Sequence, residues 1–229
     1  MTVLAQRHRS STEPHLAAVR RDLHTWEMRV RRILRPAAVE LVDGSGEQRH
    51  RLAATGVRWG TFRRPAGSSA AADLSDLPLD DLLVPELRDL RDFDVAAGPG
   101  TPEPADEEQR EAAALRALSG ASRGRTAWLV PFAVDGNGAP GPELGVLFTD
   151  SPVAVLSLGE EAHVGRAALE RIEAGEPWTA LVHSVGLPLD DEHGHPLRDD
   201  VAWPEGRRLR VRLRGGSEVW SCGSPVAWA

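Results

Sequence analysis

The sequence predicts an α+β fold: an N-terminal amphipathic basic helix with a small β-meander, an acidic Pro/Gly-rich linker region, and a C-terminal, mainly antiparallel sheet with one packed helix. Two observations support this prediction. Apolar residues recur at helical spacing early in the chain, and from residue 126 onward short apolar runs are separated by turn residues. Strands and helices do not alternate regularly, which disfavours a sheet built from βαβ units.

The first helix is predicted to begin at Thr12 and to end before Pro36. Thr12 is a suitable N-cap, and Pro14 falls in the first turn, where its missing N–H costs nothing. Apolar residues recur at steps of three and four, which places them on one face; they are Leu16, Val19, Leu23, Trp26, Val30 and Ile33. The other faces carry arginines. We therefore expect the apolar face to pack on a sheet or on a partner helix.

Residues 1–64 are predicted to form the first structural segment. Residues 38–42 read as a strand and residues 43–46 as a turn. Residues 49–62 are predicted to add one or two strands, because Val57 and Trp59 alternate with a charged residue. A helix followed by a β-meander results.

Residues 65–120 are predicted to be an acidic linker region with short helices. Pro78 and Pro85 interrupt the leucine-rich stretch and exclude one long helix there. Pro and Gly alternate over residues 98–104, which is typical of a linker. A helix with acids in its first turn is expected over residues 106–118.

Residues 121–229 are predicted to form a β-rich domain, although the three segments could pack as one unit. Strands over 127–134 and 143–149 should form a hairpin. We expect further strands over 153–158, 179–185 and 207–214, and a helix over 160–174. In the last strand Leu209, Val211 and Leu213 share one face and arginines share the other, because side chains alternate across a strand.

The loop over residues 187–196 holds the densest set of potential ligands in the sequence. They are Asp190, Asp191, Glu192, His193, His195 and, on the preceding strand, His183. Imidazole and carboxylate together suit zinc, manganese or iron, so a divalent transition metal is the cofactor that this loop would bind through His193, His195 and Asp191. Glu192 or Asp190 would then act as general base on a metal-bound water. The alternative is an ordinary polar surface loop.

Composition excludes several classes of function. All 27 basic residues are arginines, so neither a P-loop lysine nor a Schiff-base lysine is possible. Cys222 is the only cysteine, which excludes an internal disulfide, and its apolar surroundings favour a small buried residue over a nucleophile. No signal peptide or membrane span is evident. The sequence therefore predicts a cytoplasmic protein that does not bind membranes.

The charge distribution is uneven. Residues 1–64 carry 13 arginines and 6 acids, whereas residues 65–112 carry 3 arginines and 13 acids. Together with the arginine bias, this asymmetry predicts a bacterial accessory protein, an adaptor or regulator, that binds another protein or a second copy of itself. The predicted partner-binding residues are Arg29, Arg32, Arg35, Arg210, Arg212 and Trp228.

Two alternatives remain open. One is a metal-dependent, hydrolase-like enzyme built on the loop from Asp190 to His195. The other is a nucleic-acid-binding protein that uses the basic first helix. The formal net charge of −7 disfavours nucleic acid as a partner, because nonspecific binding depends on neutralising phosphates.

Overall fold

The computed structural model describes six stretches of the chain: residues 12–58, 106–135, 142–184, 192–195, 209–214 and 217–222. Side chains of the first helix are described from Asp22 onward. The predicted turns over residues 74–93 and the Pro/Gly stretch over residues 98–104 lie outside these ranges. The predicted domain boundaries at residues 64 and 120 therefore stay predictions.

The first helix, α1, spans Thr12–Leu34 and is followed by strand β1, Ala38–Leu41. Leu23, Trp26 and Val30, all on the predicted apolar face, are buried. The chain leaves the helix through Arg35, whose φ of 55° places it in the left-handed region, one residue before Pro36.

The segment after β1 is a helix and not the predicted pair of strands. Helix α2 spans Gly46–Arg58. The Oγ of Ser45 accepts a hydrogen bond from the Gln48 N–H at 3.2 Å, which caps the first turn. The β-meander predicted over residues 49–62 is therefore wrong as far as residue 58. The N-terminal cap and the burial of one helical face stabilise a helix more than the alternation of residues 57–59 favours a strand. Residues 59–62 lie outside the described ranges.

The predicted helix before the main strands and the predicted hairpin are confirmed. Helix α3 spans Glu107–Leu118 and is capped by Asp106, which accepts a hydrogen bond from the Gln109 N–H at 2.7 Å. Strands β2, Thr126–Val134, and β3, Glu143–Thr149, pair antiparallel.

The apolar run after β3 is a helix, α4, over Pro152–Glu161. Its residues have strand-like composition, and the strand predicted over residues 153–158 is wrong. Two local signals explain the difference. The Ser151 Oγ accepts a hydrogen bond from the Ala154 N–H at 3.2 Å, and Pro152 occupies the first turn.

The helix predicted over residues 160–174 is shorter than expected. A two-residue strand, β4, His163–Val164, precedes it, and helix α5 spans Arg166–Glu173. Gly165 separates the two with a φ of 115°. A Cβ at Gly165 would lie 2.2 Å from the carbonyl oxygen of Asp43, so only glycine fits this close approach.

Strands β5, Trp178–Ser184, β6, Leu209–Leu213, and β7, Glu218–Cys222, complete the part of the sheet that the structure describes. The strand order is β1-β2-β3-β5-β7-β6, with β4 paired to β2. The pairs β1·β2, β3·β5 and β5·β7 are parallel, and β2·β3, β2·β4 and β6·β7 are antiparallel. The α+β class is confirmed, but the sheet is mixed and not mainly antiparallel, since its centre consists of parallel pairs.

Helices cover both faces of the sheet, so the prediction of a single packed helix is also wrong. On one face α1, α3 and α5 pack against alternate residues of the central strands, including Phe148, Val182 and Trp220. On the other face α2 and α4 pack against the intervening residues, including Leu147 and Leu181. In the described residues no helix is both long and apolar enough to cross a membrane.

Candidate active site at the carboxyl edge of the sheet

The carboxyl ends of β3, β5 and β7 meet at one edge of the sheet. These strands run parallel in that spatial order, and Thr149, His183 and Ser221 occupy one level across them. In open sheets of this kind ligands bind outside the carboxyl ends of parallel strands. The side chains at this edge are buried and polar, whereas the strands below them are almost wholly apolar. We refer to this region as the carboxyl edge.

A buried acid, Asp150, organises one face of the carboxyl edge. It follows β3 directly and has no exposed surface. Its Oδ2 accepts hydrogen bonds from Ser122 Oγ and Ser184 Oγ, both at 2.9 Å. The Nε of Arg125, which is 2% exposed, lies 3.9 Å from the same oxygen. At this distance the two side chains form an ion pair, but these two atoms do not form a hydrogen bond. We call these four residues the Asp150 cluster.

The opposite face of the carboxyl edge is organised by Thr149. Its Oγ1 lies 2.9 Å from His183 Nδ1 and accepts a hydrogen bond from the Ser151 N–H at 3.1 Å. His183 is 4% exposed. The beginning of α4 is therefore tied to the end of β3, and the end of β3 is tied to the end of β5.

An arginine extends this level toward the outer strand. Arg210 on β6 is the register partner of Ser221 on β7, and its side chain is half-buried. Burial, and to a lesser degree the charge of nearby Arg212, lowers the pKa of Arg210. A guanidinium in such surroundings gains more from a bound anion than a fully solvated one does, because the local dielectric is lower.

The predicted metal loop is only partly described. Glu192, His193 and His195 are exposed, and the two imidazole rings have centroids 6.1 Å apart. Asp190 and Asp191 lie outside the described ranges. Among the described residues no three His, Cys, Asp or Glu side chains lie close enough to share a metal ion. His183 is buried in β5 against Thr149, and the metal site stays a prediction.

Five of the six predicted partner-binding residues lie in the described ranges, and their surroundings differ. Arg29 forms an ion pair with Glu218 and lies over the ring of Trp220, with 5.6 Å between its guanidinium carbon and the ring centroid. Arg32 and Arg212 are exposed, and Arg35 follows α1 with a φ in the left-handed region. Trp228 lies outside the described ranges.

A second buried acid, Glu218, lies at the opposite edge of the sheet, at the amino end of β7. It is 7% exposed. It accepts a hydrogen bond from Trp220 Nε1 at 3.0 Å and pairs with Arg29 and, at 3.1 Å, with Arg214. These side chains join α1 and the β6–β7 connection to the sheet. We call Glu218 and these three partners the Glu218 cluster.

Cys222, at the carboxyl end of β7, is a buried thiol. Burial raises its pKa to about 11, so it is protonated at neutral pH and is a poor nucleophile. The interpretation of Cys222 as a small buried residue is confirmed.

An open groove of about 550 Å³ lies between β1, α2 and the start of β2. Its lining includes the charged residues Glu40 and Arg51 together with His50 and Trp128. The lining carries both signs of charge and indicates no ligand class.

The Asp150 cluster escaped the sequence analysis because its members are far apart in the chain. A local signal did exist: Thr149 ends a buried strand, and Asp150 and Ser151 follow it and precede a proline. Polar residues at the end of an apolar strand, followed by a helix cap, indicate a structured edge.

Comparison with known proteins identifies the family. A sequence model of the family described as phosphoenolpyruvate carboxykinase N-terminal domain matches residues 95–227, which is more than half of the chain. The chain is 30% identical over 211 residues to the phosphoenolpyruvate carboxykinase (GTP) of Corynebacterium glutamicum (strain R), covering 89% of this chain and 33% of the relative. It is 28% identical over 222 residues to that of Corynebacterium kroppenstedtii, covering 93% of this chain and 34% of the relative.

The fold and its carboxyl edge therefore belong to an enzyme family. The chain is a member of the phosphoenolpyruvate carboxykinase N-terminal domain family, and it spans about a third of the length of the curated relatives that it matches. The prediction of an adaptor, regulator or accessory protein acting through macromolecular contacts is wrong, because the family and its relatives are carboxykinases. The enzyme alternative is better supported.

Proposed function

We propose that this chain forms the N-terminal, substrate-binding part of a GTP-dependent phosphoenolpyruvate carboxykinase. The observation that carries the proposal is the family match over residues 95–227. This range contains β2, β3, β5, β6 and β7, and thus every strand that forms the carboxyl edge. The enzyme alternative of the sequence analysis is retained, with carboxykinase chemistry in place of hydrolysis.

Phosphoenolpyruvate carries a phosphate and a carboxylate, and arginine suits both because its guanidinium donates two parallel hydrogen bonds. In this proposal Arg210 binds one of these anionic groups. It lies at the level of Ser221 near the carboxyl edge, is half-buried, and has a pKa that burial lowers. A bound anion would offset the cost of keeping this cation partly desolvated.

The nucleotide side of the reaction would be supplied by the rest of the enzyme. Without a lysine in the sequence, this chain has no P-loop of the usual kind to bind nucleotide phosphates. Phosphoryl transfer from a nucleotide uses divalent metal ions that bridge the phosphates. The described residues offer no set of three ligands for such an ion.

Calorimetric titration of the purified chain with phosphoenolpyruvate tests the proposal. We expect saturable binding, weakened about tenfold in Arg210→Gln, since one charge-assisted contact is lost. Arg116→Gln is the matched control, because Arg116 is an exposed arginine on α3. It should bind like the wild type.

A complementation assay extends the test to catalysis. The chain alone should not form oxaloacetate from phosphoenolpyruvate. Adding the C-terminal two thirds of the Corynebacterium glutamicum relative as a separate protein should produce GDP-dependent carboxylation. Absence of phosphoenolpyruvate binding together with failed complementation would overturn the proposal.

A further inference from the structure

We infer that Asp150 is a positioning residue, which sets the geometry of the carboxyl edge for the anionic substrate without touching it. The inference rests on the proposed function. Asp150 follows β3 directly, is fully buried, and accepts a hydrogen bond from Ser184, the last residue of β5.

The carboxyl ends of β3 and β5 are joined on both faces of the sheet. On one face Asp150 accepts a hydrogen bond from Ser184, and on the other Thr149 lies at hydrogen-bond distance from His183. The two contacts involve consecutive residues on both strands. Because side chains alternate across a strand, one contact lies on each face of the sheet, and together they hold the two strand ends in one relative position. Ligand-binding geometry in such sheets depends on these ends.

Asp150 also connects the carboxyl edge to the segment before β2. Ser122 donates to its Oδ2, and the Ser122 N–H donates to the carbonyl of Leu34, the last residue of α1. Arg125 lies beside the same oxygen and, through its carbonyl, accepts from the Ala37 N–H just before β1. One carboxylate therefore holds together β3, β5 and the segment between α3 and β2.

The charge itself argues for positioning. A buried ion pair is expensive to desolvate, and apolar residues of similar size are often as stable. What buried hydrogen bonds add is a single geometry, since they are directional. Here the network lies at the substrate edge, whereas the strands beneath it are apolar.

The hydroxyls of Ser122 and Ser184 donate to Asp150 Oδ2, and Arg125 lies beside the same oxygen. Asp150 has no exposed surface, so a bound ligand would not touch it. Asp150 acts through Ser184 and Arg125. When the groups that a positioning residue orients are displaced by about 1 Å, catalysis can weaken by two orders of magnitude.

The experiment compares phosphoenolpyruvate affinity and stability in three variants of the chain. Asp150→Asn removes the charge, Ser184→Ala removes a single hydrogen bond, and Glu218→Gln neutralises a buried acid at the opposite edge of the same sheet. We expect the dissociation constant to rise roughly tenfold in Asp150→Asn and several-fold in Ser184→Ala, because both loosen the substrate edge. Glu218→Gln should lower thermal stability and leave the affinity unchanged.

The outcomes separate the two proposals. If the wild-type chain does not bind phosphoenolpyruvate, the proposed function fails and the inference falls with it. If the wild type binds and the Asp150 and Ser184 variants bind equally well, the inference alone is wrong. Affinity that falls in proportion to stability in all three variants, Glu218→Gln included, would show a merely structural role and would also overturn it. Ser184→Ala keeps the test decisive if Asp150→Asn does not fold.

Discussion

The Asp150 and Glu218 clusters place two buried carboxylates at opposite edges of one sheet, with partners of different kinds. Asp150 is surrounded by Ser122, Ser184 and Arg125, all of them buried. Glu218 pairs with Arg29 and Arg214, whose side chains are 29% and 55% exposed. The first cluster is sealed and joins strand ends, whereas the second reaches the surface and attaches a helix. The first kind of order suits the proposed substrate site, because groups that are already fixed bind a ligand without a further cost in entropy.

The largest expected effect is a difference in how much stability is lost when the acid of each cluster is removed. Asp150→Ala leaves the buried guanidinium of Arg125 without its acid, so the free energy of unfolding should fall by about 3–5 kcal/mol. Glu218→Ala should cost less, because water can solvate its arginine partners. Urea denaturation of both variants measures the difference, and equal losses would contradict the distinction between a sealed and an open cluster.

The next effect concerns the carboxyl end of β7, where the thiol of Cys222 is buried. The ordinary pKa of a cysteine is 9.0, and burial raises that of Cys222 to about 11. The unfolded thiol therefore ionises first as the pH rises. Stability should be complete below pH 9 and should fall between pH 9 and 11 by on the order of 1 kcal/mol per pH unit.

This titration is unusually clean because the sequence contains neither lysine nor tyrosine, the other side chains that titrate in that range. Urea denaturation across this pH range should show the decline in the wild type. Cys222→Ala should give a flat profile over the same range. A parallel decline in both proteins would exclude Cys222 as the cause.

A smaller effect is expected at the amino end of β7. Glu218→Gln keeps an acceptor for Trp220 Nε1 but removes the charge facing Arg29. The free energy of unfolding should fall by about 1–2 kcal/mol, since a partly exposed charged contact is lost. Chemical denaturation at low and high salt measures it. A loss that salt does not reduce would contradict an electrostatic origin.

The smallest effect tests how the carboxyl edge continues into α4. Ser151→Ala removes the cap on the Ala154 N–H and should cost about 1 kcal/mol. Ser217→Ala is the control, because Ser217 bonds the Arg214 carbonyl in an exposed turn and should cost less. Thermal denaturation compares the two, and an equal or smaller loss at Ser151 would argue against its importance as a cap.

Local sequence patterns correctly predicted the elements that tertiary packing does not override. The apolar face of α1 and the alternation of β6 follow from spacing alone, because a helix or strand repeats its environment at a constant period. Val211 and Leu213 are buried and Arg212 is exposed, in agreement with that alternation. The same reasoning failed over residues 153–158, where strand-like composition lies inside α4. There the cap at Ser151 was the better guide.

The carboxyl edge could not be predicted in this way. Its acid, its two serines and its arginine come from positions 122, 125, 150 and 184 and meet only because β3 and β5 pair in parallel. Parallel strands are joined by connections that leave the sheet, so no adjacent pattern in the chain reports which strands will be neighbours. The potential ligands of the loop around His193 are close in sequence, but closeness in sequence does not show that side chains meet in space.

By itself the sequence determined the chemistry available to this chain: arginine as its basic side chain, one cysteine, no lysine, and apolar runs that must be buried. The tertiary structure decided where that chemistry lies. Strand order placed Asp150 beside Ser184 and set Arg210 level with Ser221. The physical reason is that composition and periodicity act over a few residues, whereas hydrogen bonds between strand ends depend on the packing of the whole sheet.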